Sequence, residues 1–251
     1  MLVTETQKHW GTRETNDPHL SLSPSLSPSL SLARAAAMTK RKGEEGLNMQ
    51  RYLLVHEYVG QAFCGWQKQP KGIKTVQSVI EKALSDFIGS EVIVLGSSRT
   101  DTGVHGLGNT CHVDLCRKPR EGKEEEACAP YDACDIKKAV NARMCGEQVF
   151  ITKVLKVDAD FHARFNAKGR TYFYRIASST SERQLSLFHH GQTWNVRKKL
   201  DINLMREAAK ALVGTHDFSS FRASGCQALS PVKVCFCFFV STNQLQCRLP
   251  S

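Results

Sequence analysis

The chain has 251 residues, 41% of them apolar and 23% charged, with a formal net charge of +10, so it can bury a core and suits one domain or two small ones. No run of about 18 apolar residues exists to span a bilayer as a helix. The ten cysteines never form a C-x-x-C pair, which argues against disulfide or structural-zinc frameworks and for reduced thiols in an intracellular protein, the compartment left open between cytoplasm, nucleus and organelle.

Residues 1–49 read as a disordered, low-complexity extension. Pro18 to Leu32 runs PHLSLSPSLSPSLSL, and Lys40, Arg41 and Lys42 form a basic cluster; neither has a period that could pack. An organellar transit peptide is the alternative reading, against which the acids Glu5, Glu14 and Asp17 count. Folding is expected to begin near Gln50, with a strand over Arg51–Val59. Thr75 caps a helix reaching Phe87, its apolar Val76, Val79, Ile80, Ala83, Leu84 and Phe87 at helical spacing and Gly89 ending it. A short strand over Val92–Leu95, a turn at Ser97–Gly103 and a strand at Gly108–Leu115 follow. Arg117–Ala133 is a charged loop, Asp135 caps a second helix to Met144, and Gln148–Val157 is a strand. Strand–helix–strand–strand–helix–strand over 50–157 predicts a ferredoxin-like sandwich.

The second half, 158–251, repeats the pattern in part. Arg170–Ala177 alternates as a strand. Asp201 caps a helix to about Val213, with Ile202, Met205, Ala208, Ala209 and Leu212 facing inward and Gly214 at its end. Val234–Val240 is an apolar strand, and no second helix follows. The expected fold class is therefore α+β: two ferredoxin-like, RRM-like halves with antiparallel sheets around a central cleft, the second incomplete. Charge separates the halves too. Residues 51–152 hold thirteen Lys/Arg and thirteen Asp/Glu, whereas fifteen Lys/Arg face six Asp/Glu from 153 onward, a phosphate-binding footprint or a lysine-rich solvated face.

The chemistry concentrates in Ser97–His105, SSRTDTGVH. Asp101 lies between Arg99, whose guanidinium favours an ionised carboxylate, and Gly103, which permits a positive φ or a close backbone approach. Alone, R-x-D-x-G is a weak signal, because such turns often hold a structural ion pair. Three further islands accompany it. Gly65-Trp66-Gln67-x-Gln69-Pro70 precedes Thr75-Val76-Gln77. Phe161-His162-Ala163-Arg164-Phe165 leads to Arg170-x-Tyr172-x-Tyr174. His216-Asp217-Phe218-x-x-Phe221-Arg222 is followed by Ser230-Pro231.

In this order and at these separations, from about Arg51 to Lys233, the chain resembles the TruA family of tRNA pseudouridine synthases. The resemblance implies an isomerase that breaks the N-glycosidic bond of a uridine in tRNA, turns the base and rejoins it through carbon. The implied targets are uridines 38–40 of the anticodon arm. Such a reaction needs no cofactor and no metal, in keeping with a chain that carries neither a dinucleotide fingerprint nor a P-loop. The family's aspartate maps to Asp101, as nucleophile or base. Its arginine maps to Arg99, which would help hold the extruded nucleotide, and its tyrosine to Tyr172, whose ring can stack on uracil. Tyr174 stays open between site and core.

Other residues are read more broadly. Arg164 and Arg170 are expected to bind substrate, with Lys168, Arg197, Lys198 and Lys199 along a basic groove. His162 and Arg164 are expected to flank a strand start. Trp66 and Gln67 either touch RNA or pack a sheet edge, Arg222 orients RNA or pairs with Asp217, and His105 is expected to make a structural hydrogen bond. The partner implied is tRNA, with no membrane and with a homodimer as one assembly. The tail VCFCFFVSTNQLQCRLPS departs from the family, which continues into a helix and a strand bearing a further active-site arginine. A C-terminally truncated member is the expectation, with apolar surface exposed around Phe236–Val240 and a cleft short of one basic wall.

Overall fold

Tyr52, Leu54, His56 and Tyr58 alternate along one segment, and side chains two residues apart share a face of a sheet. In the computed structural model, which describes residues 2–4, 49–70, 72–117, 129–178, 189, 191–222 and 230–241, these four lie buried on β2 (Gln50–Tyr58). β2 pairs antiparallel with β4 (His105–Leu115) on one side and β5 (Val149–Val157) on the other. Two short strands share the far edge of β4. β3 (Leu95–Gly96) sits antiparallel opposite Cys111 and His112, and β1 (Leu2–Thr4) parallel opposite His105 and Gly106. β6 (Thr171–Phe173) pairs antiparallel with β1, so the sheet runs β5-β2-β4-β1-β6 with β3 beside β4.

Helices α1 (Val76–Ile88) and α2 (Ala133–Arg143) cover one face. α1 starts where local chemistry directs it. The Thr75 hydroxyl accepts from the Ser78 N–H at 3.2 Å while the Ser78 hydroxyl accepts from the Thr75 N–H at 3.0 Å, a reciprocal capping box. Val76, Ile80 and Leu84 are fully buried against Leu54, Val94, Cys111 and Ile151; burying each such aliphatic side chain is worth about 1.5–3 kcal/mol. The cap of α2 is Asp132, which accepts from the Cys134 N–H at 2.8 Å, rather than the expected Asp135. Asp135 stands in the first turn, where a carboxylate also suits the helix dipole.

The segment 158–166 covers the other face. Phe161 and Ala163 pack on Leu53, and Arg51 holds them by donating to the Phe161 carbonyl at 2.8 Å while forking onto Asp114 at 2.6 and 2.7 Å. Cys111 and His112 consequently fall on opposite faces of β4. Val92 and Val94 are buried but form no strand, because α1 side chains satisfy their N–H groups: Ser85 Oγ at 2.9 Å and Glu81 Oε1 at 3.1 Å. His162 and Arg164 lie in a turn closed by the Phe165 and Asn166 N–H groups on the His162 carbonyl, so no strand starts there.

The chain divides into two compact units, Met1–Arg175 and Ile176–Ser251. The 158–166 turn and β6 both attach to the sheet of the first unit. Leu2–Thr4 likewise belongs to that sheet, whereas residues 5–48, including the Ser/Leu/Pro repeat, lie outside the described residues, as does most of the Arg117–Ala133 loop. The expected Arg170–Ala177 strand is two: β6 ends at Phe173, and β7 (Ile176–Ser178) pairs parallel with β8 (Trp194–Val196).

The second unit also holds α3 (Ile202–Ala211), capped by Asp201 on the Asn203 and Leu204 N–H groups at 2.9 and 3.0 Å. Beside it in sequence are β9 (Gly214–Asp217) and its antiparallel partner β10 (Val232–Cys235). The C-terminal cap of α3 is Leu212 rather than Gly214, which opens β9. Of the expected inward stripe only Ala209 is buried. Residues 236–240 form no strand, and Phe236 and Phe239 are 81% and 85% exposed. The architecture is mixed α/β with mainly antiparallel pairing, and no helix among the described residues is long and apolar enough to cross a membrane.

Candidate active site

The Ser97–Val104 segment leaves β3 and returns as β4, so the sheet holds both ends; the Ser97 N–H donates to the Thr110 carbonyl at 2.8 Å. Its apex is a turn closed by the Val104 N–H on the Asp101 carbonyl at 3.2 Å. Gly103 there takes φ 81°, a left-handed backbone that side chains with a Cβ rarely adopt. Arg99, Asp101 and Thr102 are exposed. The carboxylate therefore stands clear of the core while the backbone beneath it is fixed.

Several buried groups do the fixing. The Thr100 carbonyl accepts from the Trp66 N–H at 3.0 Å, and its hydroxyl meets that of Tyr58 at 2.8 Å. Gly60 lies so close to the other limb that an added Cβ would approach the Val104 carbonyl nearer than 3.0 Å; the Gly60 N–H donates to His105 Nδ1 at 3.3 Å. His105 thus makes a structural bond, to Gly60. Trp66 packs: its indole is buried against Gly96, and its Nε1–H donates to His56 Nε2 at 2.9 Å. The Gly65 and Trp66 carbonyls accept from the Val76 and Gln77 N–H groups at 3.3 and 2.9 Å, tying this loop to the first turn of α1. Gln67 is exposed.

Arg170 comes to the same loop, its Nη2 donating to the Ser97 carbonyl at 3.1 Å. A guanidinium therefore stands at the base of the segment bearing Arg99 and Asp101. Tyr172 is placed by register. It pairs with Val3, Val3 with Gly106, and Gly106 with Tyr58. Cross-strand partners share a face, so Tyr172, 52% exposed, lies on the face that carries Tyr58 and the loop. Two strand spacings, about 10 Å, separate its backbone from Gly106.

Tyr174 lies beyond the end of β6, so strand alternation does not fix its side. Arg164 is exposed in a turn anchored on the opposite face, where the Ala163 N–H donates to His112 Nδ1 at 3.1 Å. Lys168 of the first unit and Arg197, Lys198 and Lys199 of the second are exposed. Asp217 accepts from the Ser219 N–H and hydroxyl at 2.8 and 2.6 Å, bonds that hold its carboxyl below the usual range.

The structure thus brings Arg170 to the base of the loop that bears Arg99 and Asp101, sets Tyr172 on the face of Tyr58 and anchors the Arg164 turn on the opposite face. The supporting residues Tyr58, Asn109 and His56 do not stand out in the sequence. The one signal is chemical: an amide and an imidazole inside otherwise apolar strands require buried partners. Burial pushes His56 down to about 3, and burial aided by His162 and Arg51 pushes His112 down to about 4. Both are neutral acceptors at physiological pH.

A family model described as tRNA pseudouridine synthase matches residues 54–166. The tRNA pseudouridine synthase A of Rhodospirillum rubrum is 42% identical over 185 residues, 74% of this chain and 61% of that protein. That of Parvibaculum lavamentivorans is 44% identical over 185 residues, 74% of this chain and 69% of its own. A Wolbachia counterpart is 39% identical over 183 residues, 73% and 69%. The chain spans 61 to 69% of the length of these relatives.

Proposed function

The chain belongs to the tRNA pseudouridine synthase A family, and from that premise we propose that it isomerises uridine to pseudouridine in the anticodon arm of tRNA, with Asp101 as the reacting carboxylate. The C1′–N1 bond breaks, a C1′–C5 bond forms, the C5 proton passes to solvent and N1 takes up a proton in its place, so no oxidant or transferred group enters. Asp101 serves either by attacking C1′ or by taking a proton from the ribose. The observation that carries this reading is the exposed Asp101 side chain on a loop whose neighbouring residues the core grips. Arg99 and Arg170 supply positive charge for the phosphates around an extruded nucleotide, and Tyr172 a face for its base.

On this reading the fold comprises two ferredoxin-like halves, 50–157 and 158–251, with residues 1–49 as an extension. Arg164 and the basic residues of the second unit contact the tRNA backbone, and two copies of the chain associate.

The exposed Arg197, Lys198 and Lys199 also suit one alternative: an RNA-binding protein on this scaffold that lacks turnover. Incubation of the chain with tRNA carrying tritium at C5 of uridine separates the two. Stoichiometric release of tritium is expected. Salt-sensitive tRNA binding without release supports the silent binder, and neither binding nor release contradicts both.

A further inference from the structure

We infer that Tyr58 is a positioning residue for Asp101: its hydroxyl, oriented by Asn109, fixes Thr100 and thereby sets where the neighbouring carboxylate stands. The inference rests on the reading of Asp101 as the reacting group. Tyr58, Ser97, Asn109 and Thr110 are all at most 4% exposed, on the face packed mainly with aliphatic and aromatic side chains. Their bonds run with one polarity. The Thr110 hydroxyl donates to Ser97 Oγ at 2.9 Å, and the Ser97 hydroxyl to Asn109 Oδ1 at 3.2 Å. The Ser98 hydroxyl donates to the same Asn109 oxygen at 3.1 Å. These bonds, with the Thr110 N–H on Oδ1 at 2.8 Å, fix the orientation of the amide, so Nδ2 donates to the Tyr58 oxygen at 3.3 Å. The phenol, already accepting there, has its own proton to give to Thr100 Oγ1 at 2.8 Å.

Stability alone does not call for this arrangement. Buried polar groups are costly unless every partner is supplied, and matched apolar residues do as well or better. What the run adds is specificity of position. It holds Ser97, Ser98 and Thr100, three of the four residues before Asp101, while Trp66 holds the Thr100 carbonyl from the other side. Thr100 is therefore gripped at two points, directly before the residue that bears the carboxylate.

Tyr58→Phe removes the hydroxyl and keeps the ring, which packs edge-on against Phe63 with centroids 6.4 Å apart and stacks on His56 at 5.8 Å. In the full chain, hydrogen exchange of the 97–104 amides is expected to quicken about tenfold while α1 and β5 amides keep their rates. In the tritium assay kcat is expected to fall about tenfold with KM within twofold. Thr100→Val should reproduce both effects, Thr100→Ser should restore wild-type behaviour, and the Tyr58→Phe/Thr100→Val pair should be no worse than either alone. Unchanged loop exchange in Tyr58→Phe, or exchange quickened throughout the sheet, overturns the inference. Should Tyr58→Phe fold poorly, the same two outcomes in Thr100→Val overturn it. Because exchange is read without substrate, a wild-type chain that releases no tritium refutes the isomerase reading separately.

Discussion

Asp101→Asn is expected to lower the rate of tritium release from C5-labelled tRNA by about 10³-fold or more, with tRNA affinity within about threefold of wild type. The substitution keeps size and removes the charge and basicity that either attack on C1′ or proton abstraction requires. The turn should survive, because its closing bond uses the Asp101 backbone carbonyl and because Thr100 and Gly103 set the backbone on either side. Affinity should survive because phosphate contacts from Arg and Lys dominate nucleic-acid binding, and an exposed carboxylate adds nothing attractive to a polyanion. Gel-shift titration and circular dichroism of the variant check those two expectations. Asp101→Asn releasing tritium at the wild-type rate would show that the carboxylate does no chemistry.

Acid should destabilise the first unit well before carboxylates titrate. His56 and His112 are buried acceptors whose folded pKa values, about 3 and about 4, lie below the ordinary value of 6.5. A histidine lowered on folding takes up its proton first in the unfolded chain, so stability is full above about pH 6.5 and declines as pH falls towards the folded values. At pH 5 each histidine costs about 2 kcal/mol relative to neutral pH, about 4 together, a large part of the 5–15 kcal/mol typical of a domain. The urea midpoint is expected to drop steeply between pH 7.5 and 5. In His56→Gln/His112→Asn the new amide oxygens can accept from Trp66 Nε1 and the Ala163 N–H, and the drop should flatten. A wild-type midpoint constant over that window would contradict the buried, neutral state of both rings.

The elements legible in the sequence are those whose signals are local. α1 is delimited by the Thr75/Ser78 capping box and Gly89, and β2 by its alternation, and both stand within one residue of the expected bounds. Expectation and structure part where partners distant in sequence decide. Arg170–Ala177 alternates without interruption, yet β6 pairs with β1 and β7 with β8, and no local pattern separates them. The apolar stripe of α3 has the right period, but a period says which residues share a side, not whether anything covers it. At the candidate site the reactive loop is visible because Arg99, Asp101 and Gly103 are close in sequence. The grip of Tyr58 and Asn109 is not, since a Tyr in a strand reads as core until the β2–β4 register brings the two side chains together.

The most direct test of the central claim identifies the product. A tRNA transcript incubated with the chain, digested to nucleosides and resolved by chromatography and mass spectrometry should show uridine replaced by an isomer of unchanged mass, with pseudouridine at an anticodon-arm position and none after treatment with Asp101→Asn. Equal pseudouridine from both proteins would contradict the assignment of Asp101, and none from either would contradict the assignment of the activity.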